Sequence, residues 1–347
     1  MNRKIGVGLL VGLCSLILCS CSSTELEDKN FPMVAAIAWK DGSYEMALGF
    51  QDLSDVADEN ATKENASDVS LHGENGYELF EQADTTNPGQ MDYNHMKALI
   101  LSRELFSQEK ELITLLSCLE EQNVISRNTL LFVTDQNPEE IVGCSEQIKD
   151  NVGNYLQELI TSNQDFEADA AVTLGDLLNA SHNQNETWMI PRVEVTQEKL
   201  ELADYYVLQG IVPVGSISLE QGEFRMLCCG QLKHYGIAVD AGNLVRLSDI
   251  SCRYEISDDG EHVTETVYLS ANANSYAGQM PEYMEEYLEH IWNRQAAELL
   301  AAGIDPTNSY YKLGGYDRQA YERYADDWNQ YQKNLSIRFV CNISDVS

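Results

Sequence analysis

Apolar positions fall into short runs and repeating spacings along this chain, and the spacing changes from stretch to stretch. Val34 to Trp39 is continuously apolar, Asp41-Gly42 is a two-residue turn signal, and Tyr44, Met46, Leu48 and Phe50 then alternate, which predicts a hairpin over 31–51. Residues 52–92 are polar, acidic and rich in Asn, Ser, Thr and Gly, the composition of a solvated loop. Met96 to Leu101 reads as a short strand, Leu112, Leu115, Leu116 and Leu119 as a helix, and Leu130 to Val133 as a second strand. Asn137-Pro138-Glu139-Glu140 opens another helix with a cap, a proline in the first turn and acidic residues at the positive end of the dipole. Strand, helix, strand, helix predicts a parallel crossover. A helix around Val172 to Leu178, a polar loop and Ile190-Pro191 before an extended segment follow.

Beyond residue 200 the pattern becomes one of short strands. Tyr205 to Val214, Ser216 to Leu219 and Phe224 to Cys228 are expected to begin a new sheet. His234 to Val239, Leu244 to Leu247, Cys252 to Ile256 and His262 to Leu269 are expected to continue it. Met284, Leu288, Ile291, Trp292 and Leu299 then recur at helical spacing after Pro281, and Gly303 and Pro306 stop a helix expected over Pro281 to Ala302. A second amphipathic run carries Tyr321, Tyr324, Trp328 and Tyr331 on one face. Leu335, Ile337, Phe339, Cys341 and Ile343 alternate with polar residues, so a last strand must add to an earlier sheet, with the Pro281–Ala302 helix lying across it. The whole reads as a multi-domain α+β protein of mixed and antiparallel sheets with packed helices.

The amino terminus is set apart by its charge. Arg3 and Lys4 precede an apolar run from Ile5 to Leu18, and residues 1–20 contain no acid, as in a secretory leader too short to span a membrane comfortably. Leu18-Cys19-Ser20-Cys21 resembles a bacterial lipobox, with Leu18 three before Cys21 and the small Ser20 before the cut. Cys21 is therefore the expected lipidation site, followed by a polar tether over 21–30. Cys14 and Cys19 fit worse, because a leucine directly precedes each. The body is expected to divide into 31–200, with the acidic loop at 52–92, and 201–347.

Composition excludes some functions. Lys and Arg number 22 against 56 Asp and Glu, a net charge of −34, and loss of Arg3 and Lys4 with the leader makes it −36. Nucleic acid, which needs a basic footprint, is excluded as a partner. The same charge repels anionic headgroups, so a lipid has to hold the body at a membrane.

Candidate chemistry is sparse. There is no HExxH, no GxSxG, no GxGxxG after a strand and no P-loop, so no catalytic, cofactor or metal residues are assigned. The acids Asp55, Asp58, Glu59 and Glu64 lack the alternation of a calcium loop. His95, near Asp92, reads as a strand-edge residue, and Glu285/Glu286 and Asp326/Asp327 as solvated helix faces. Asp305 reads as the cap of the turn that follows it. Export permits disulfides among Cys118, Cys144, Cys228, Cys229, Cys252 and Cys341, but there is no CxxC framework, and mostly unpaired thiols are expected.

Two stretches resemble a known family. The ending "AAGIDPTNSYYKLGGY" and "YERYADDWNQYQKNLSIRFVCNI" after an acidic amphipathic helix, and the stretch "YNHMKALILSRELFSQ…SRNTLLFVTDQNPEEI", are similar to the Ger(x)C family of spore germination lipoproteins. The first strand departs from it, with Ala36, Ala38 and Trp39 where a Gly and an Asp are usual, and Cys228-Cys229 is not a family feature. The resemblance implies a non-enzymatic, lipid-anchored C subunit of a germinant receptor, on the outer face of the spore inner membrane, with membrane-spanning A and B subunits as partners. A solute-binding lipoprotein of a transport system is the alternative, and it calls for two similar lobes around a cleft. A tethered hydrolase is disfavoured by the missing motifs.

Overall fold

The computed structural model describes residues 29–345 except 51–68, 87–88, 123–124, 149, 163–164, 166, 168–169, 184–185, 198, 241–242, 276–282 and 325–327. Cys21 and the acids Asp55, Asp58, Glu59 and Glu64 lie outside the described residues, as do Pro281, Asp326 and Asp327.

The first half builds one sheet with helices on both faces. A short β1 (Lys29–Asn30) precedes the hairpin of β2 (Pro32–Lys40) and β3 (Ser43–Phe50). Asp41 and Gly42 both have positive φ, 52° and 88°, the geometry a tight hairpin turn requires. β4 (Val69–Gly73), α1 (Gly76–Thr86), β5 (Gln90–Met91), β6 (Ala98–Ser102), α2 (Arg103–Phe106), α3 (Glu109–Gln122) and β7 (Leu130–Thr134) follow. Then come α4 (Pro138–Val142), α5 (Ser145–Ile148), α6 (Val152–Thr161), α7 (Leu174–His182), β8 (Thr187–Thr196), β9 (Lys199–Gln209) and β10 (Val212–Ile217). The strand order is β10-β9-β8-β7-β6-β2-β3-β4, with β2, β6, β7 and β8 parallel and the flanks antiparallel.

The interior strands have no polar face because helices cover both sides. Ala35, Ile37, Leu99, Leu101, Leu131 and Val133 meet α1, α3 and α7 in one core. The alternate residues Val34, Ala36, Ala98, Ile100, Leu130 and Phe132 meet α4 and α6 in another. That is the period of two of a strand, read out on a sheet buried on both sides.

The second half builds a smaller sheet. α8 (Leu219–Cys229) leads into β11 (His234–Asp240), β12 (Asn243–Asp258), β13 (Val263–Ser275), α9 (Met284–Ala301), α10 (Ser309–Tyr316), α11 (Arg318–Arg323), α12 (Trp328–Asn334) and β14 (Leu335–Asp345). The order is β11-β12-β13-β14, antiparallel except that β14 runs parallel to β13. α9 lies on this sheet, with Leu288, Trp292, Ala296 and Leu299 buried and Ile291 partly buried against Phe339, Val267 and Leu269.

Several expectations are corrected. Val69–Gly73 and Gly76–Thr86 are strand and helix within the expected loop, because Leu71, Leu79, Phe80 and Ala83 together bury an apolar stripe. Tyr205 to Val214 belongs to the first sheet, which continues past residue 200 through the β8–β9 hairpin. Phe224 to Cys228 is helical, not extended. Ser218 and Gln221 form a reciprocal capping box, and Gly230 closes the helix at φ 74°. Leu244–Leu247 and Cys252–Ile256 are one strand with a bulge. His95 stands in a short 3-10 turn after Asp92, edge-on to Phe31 at 5.3 Å.

α8 welds the two halves together. Gly222 lies so close to β9 that a Cβ there would fall 2.2 Å from the Tyr205 ring. Its apolar side joins Met189, Tyr205 and Val207 of the first sheet to Val245, Leu247 and Leu269 of the second in one core.

Candidate functional site

Side chains of differing chemistry converge around residues 303–322. α9 ends at a left-handed Gly303, φ 80°, with Gly303 N–H on Leu300 O at 3.0 Å and Ile304 N–H on Leu299 O at 2.9 Å. Those are the two bonds of a Schellman stop, and they turn the chain into Asp305. Asp305, fully buried, accepts from Thr307 N at 3.0 Å, Thr307 Oγ1 at 3.1 Å and Tyr310 N at 3.3 Å. The expected cap is present, and it starts α10.

Beneath it lies a carboxylate that sequence reasoning missed. Glu265 occupies an inward position of β13, between Val263 and Val267, and has no exposed surface. The Thr307 hydroxyl contacts its Oε2, and Lys312 Nζ stands 3.7 Å from its Oε1 and 3.1 Å from the Tyr254 ring centroid. Burial first, and the Asp305 charge with it, pushes the Glu265 carboxyl up to about 7 against the pull of Lys312. The hydrogen bonding agrees. Thr307 has one hydroxyl proton between two carboxyl groups, so a protonated Glu265 can donate to Thr307 while Thr307 donates to Asp305. The signal available in the sequence was a glutamate in the apolar phase of an alternating strand.

This buried nest supports a surface cleft of about 520 Å³ lined by Tyr311, Lys312, Gly314, Tyr316, Arg318 and Tyr321 with neighbours including Asn183. Tyr311 is 57% and Tyr316 59% exposed. Tyr321 is held by stacking on buried Tyr310, 4.7 Å and 23° apart. Tyr310, Tyr324 and Tyr331 form a satellite core under α10 to α12. The amphipathic run expected through Tyr321, Tyr324, Trp328 and Tyr331 falls on two described helices, α11 and α12, and α11 starts where Asp317 accepts from the backbone N–H of Gln319 and Ala320. Tyr324 and Tyr331 are buried and Tyr321 partly so, while the Trp328 side chain lies outside what is described.

The carboxyl ends of β2, β6 and β7 make a second cleft, about 470 Å³, lined by Trp39, Lys40, Ser102, Arg103, Asp135 and Asn137 among others. Its cations are already paired, Lys40 with Glu45 at 3.9 Å, and Arg192 lies behind it against Asp135. Arg103 Nε meets Asp135 at 2.7 Å, and Arg192 grips Asp204 with Nε at 2.8 Å and Nη2 at 2.9 Å while its Nη1 reaches Glu194 at 3.1 Å.

α9 presents a third group of polar side chains. Glu285, Glu289 and Asn293 accept from the backbone N–H of Ile343, Cys341 and Phe339 at 2.8, 2.9 and 2.9 Å. Positions four apart on the helix meet positions two apart on the outer edge of β14, so the helix satisfies a strand edge. Glu285 is thus more than part of a solvated face. All six described cysteines are free thiols. Burial raises Cys228, and Cys252 to about 11. Among the described residues no three His, Cys, Asp or Glu side chains could hold a metal, and no helix is long and apolar enough to cross a membrane.

A family profile, the spore germination protein N-terminal domain, matches residues 22–195, half of the chain. The chain belongs to this family of spore germination proteins, the Ger(x)C family. A solved structure described as the crystal structure of the GerBC protein shares its fold, at TM-score 0.57 and 10% identity, over 90% of this chain and 97% of that one. No curated protein matches the chain.

Proposed function

We propose that this protein is the lipid-anchored, non-enzymatic C subunit of a spore germinant receptor, contributing to nutrient-triggered germination beside membrane-spanning A and B subunits. The family match over residues 22–195 carries the reading, and it begins one residue past the lipobox cysteine. In this reading residues 1–20 are removed, Cys21 takes the diacylglycerol and an acyl chain such as palmitate, and 21–30 tethers the body. Two or more chains are needed to hold a protein stably at a bilayer, and here they also act against the repulsion of a body of charge −34 before processing. The body then sits on the outer face of the spore inner membrane. The Tyr311–Tyr316 cleft offers aromatic surface of the kind that protein partners use.

The test is localisation and co-purification in spores. Cys21→Ser is expected to release the protein or to leave an unprocessed precursor. A Cys21→Ser chain that stays in the membrane at mature size would overturn lipidation at that residue. A tagged wild-type chain is expected to bring down two multi-spanning membrane proteins. Its recovery alone from gently solubilised spore membranes would overturn the receptor-subunit reading.

A further inference from the structure

β7 and β8 are neighbours in the first sheet, yet they pair in register only at Val133 and Arg192. β8 carries Pro191 one residue earlier, which has no N–H to give to a ladder. Toward its start β7 turns instead to another segment: Leu131 N–H donates to Val172 O at 2.9 Å, and Leu130 bridges Thr173. The gap between these strands and α8 is a cavity of about 60 Å³, with Phe132, Ile160, Ala171, Met189 and Met226 in its apolar wall.

The wall also contains Arg225, brought there by α8 and 3% exposed. Its Nη2 donates to Thr187 O and to Asn308 Oδ1, the latter at 3.0 Å. Its Nε is buried with no hydrogen-bond partner. Among the described residues no carboxylate lies within ion-pair distance of it. Glu186 acts on it only from beyond ion-pair distance and is itself desolvated, which raises its carboxyl pKa. A buried guanidinium without an anion is a costly arrangement, and an apolar cavity with one unspent cationic donor is the pattern of a small-molecule site.

We propose that this cavity binds a short-chain monocarboxylate, its alkyl end among Phe132, Ile160 and Met226 and one carboxylate oxygen on Arg225 Nε. Nη2 is already engaged on both protons, so the carboxylate takes a single charge-assisted bond in place of a two-toothed grip. At roughly 10–15 Å³ for each water-sized occupant, the space holds about four to six heavy atoms, the size of acetate, propionate or butyrate. The site lies in the folded body and does not depend on how the chain is anchored or which subunits it meets.

The experiment is calorimetric titration of the full-length chain in detergent with potassium propionate against potassium chloride at matched ionic strength. Saturable binding of propionate is expected, with hexanoate about tenfold weaker or more because its chain exceeds the cavity. Arg225→Met should weaken propionate about tenfold or more, the worth of one charge-assisted bond. That variant also loses the bonds to Thr187 and Asn308, so Ala171→Leu is the companion. It fills the wall, keeps Arg225, and should lose propionate binding with unfolding in chloride as in the wild type. A purely structural Arg225 predicts no propionate-specific heat at all. Propionate indistinguishable from chloride, or undiminished binding to Ala171→Leu, would overturn the proposal.

Discussion

Glu289→Ala removes the middle bond of the series by which α9 satisfies the outer edge of β14. Glu289 Oε1 lies 2.9 Å from Cys341 N, and the cysteine is 8% exposed. Water reaches this position only partly, since the Glu289 side chain itself is half-buried. A buried N–H left without an acceptor costs about 1–3 kcal/mol. Part of that is recovered by water at the exposed side of the helix, and a few tenths by relief of repulsion from Glu285 four residues away. The expected loss is about 1–2 kcal/mol, and about half as much for Glu285→Ala, whose side chain is exposed. For a chain of this size that lowers the thermal midpoint by roughly 1–3 °C. Glu289→Gln keeps an acceptor oxygen and should lose the least. Hydrogen exchange localises the effect. The Cys341 amide should exchange about tenfold faster in Glu289→Ala, since each 1.4 kcal/mol of lost local stability is a factor of about ten. The Val340 amide, which faces β13 in the parallel ladder, should change far less. A Glu289→Ala protein with the wild-type midpoint and an unchanged Cys341 amide would show that the helix only lies against the edge and does not satisfy it.

Other outcomes follow from the same structure. Trp292→Ala empties a fully buried site between Tyr235 and Phe339, at ring distances of 6.3 and 6.0 Å, and should cost about 3–5 kcal/mol, read by urea unfolding and by scarcity of the protein in membranes. The Glu265 pair makes stability depend on pH. Its folded carboxyl is raised, so between about 4.5 and about 7 the folded protein holds a proton that the unfolded chain has lost, and this contribution falls as pH rises through that window. Glu265→Gln mimics the protonated form, so its midpoint should gain on the wild type from pH 5 to pH 8, and parallel curves would refute a buried protonated Glu265.

Local patterns carried much of this protein. The Asp41-Gly42 hairpin, the β6–β7 crossover, the Asn137 cap, the Gly303 stop and the burial of Leu288, Trp292 and Leu299 were all legible, because each rests on contacts within a few residues or on one periodic face. The Asp305 cap was legible for the same reason. The α+β class and the Ger(x)C family were legible as well, from the order of such elements at the two ends of the chain. One misreading was local too. The Ser218–Gln221 capping box was present in the sequence, but Phe224 to Cys228 is apolar without clear period and suits helix and strand alike.

The rest was decided by tertiary structure. Whether Tyr205 belongs to the first sheet or the second depends on β8 turning back at Gln197 to pair with β9, and on Gly222 letting α8 press against its ring. Glu285 reads as a solvated helix acid until β14 arrives more than fifty residues later with an unpaired N–H. Glu265 lies more than forty residues before Thr307 and Lys312, and neither their meeting nor the rise of the Glu265 pKa is encoded in any short spacing. Burial and charge proximity are properties of the folded interior. A linear pattern says which face of an element turns inward, and only the packed elements determine which groups from elsewhere in the chain it meets there.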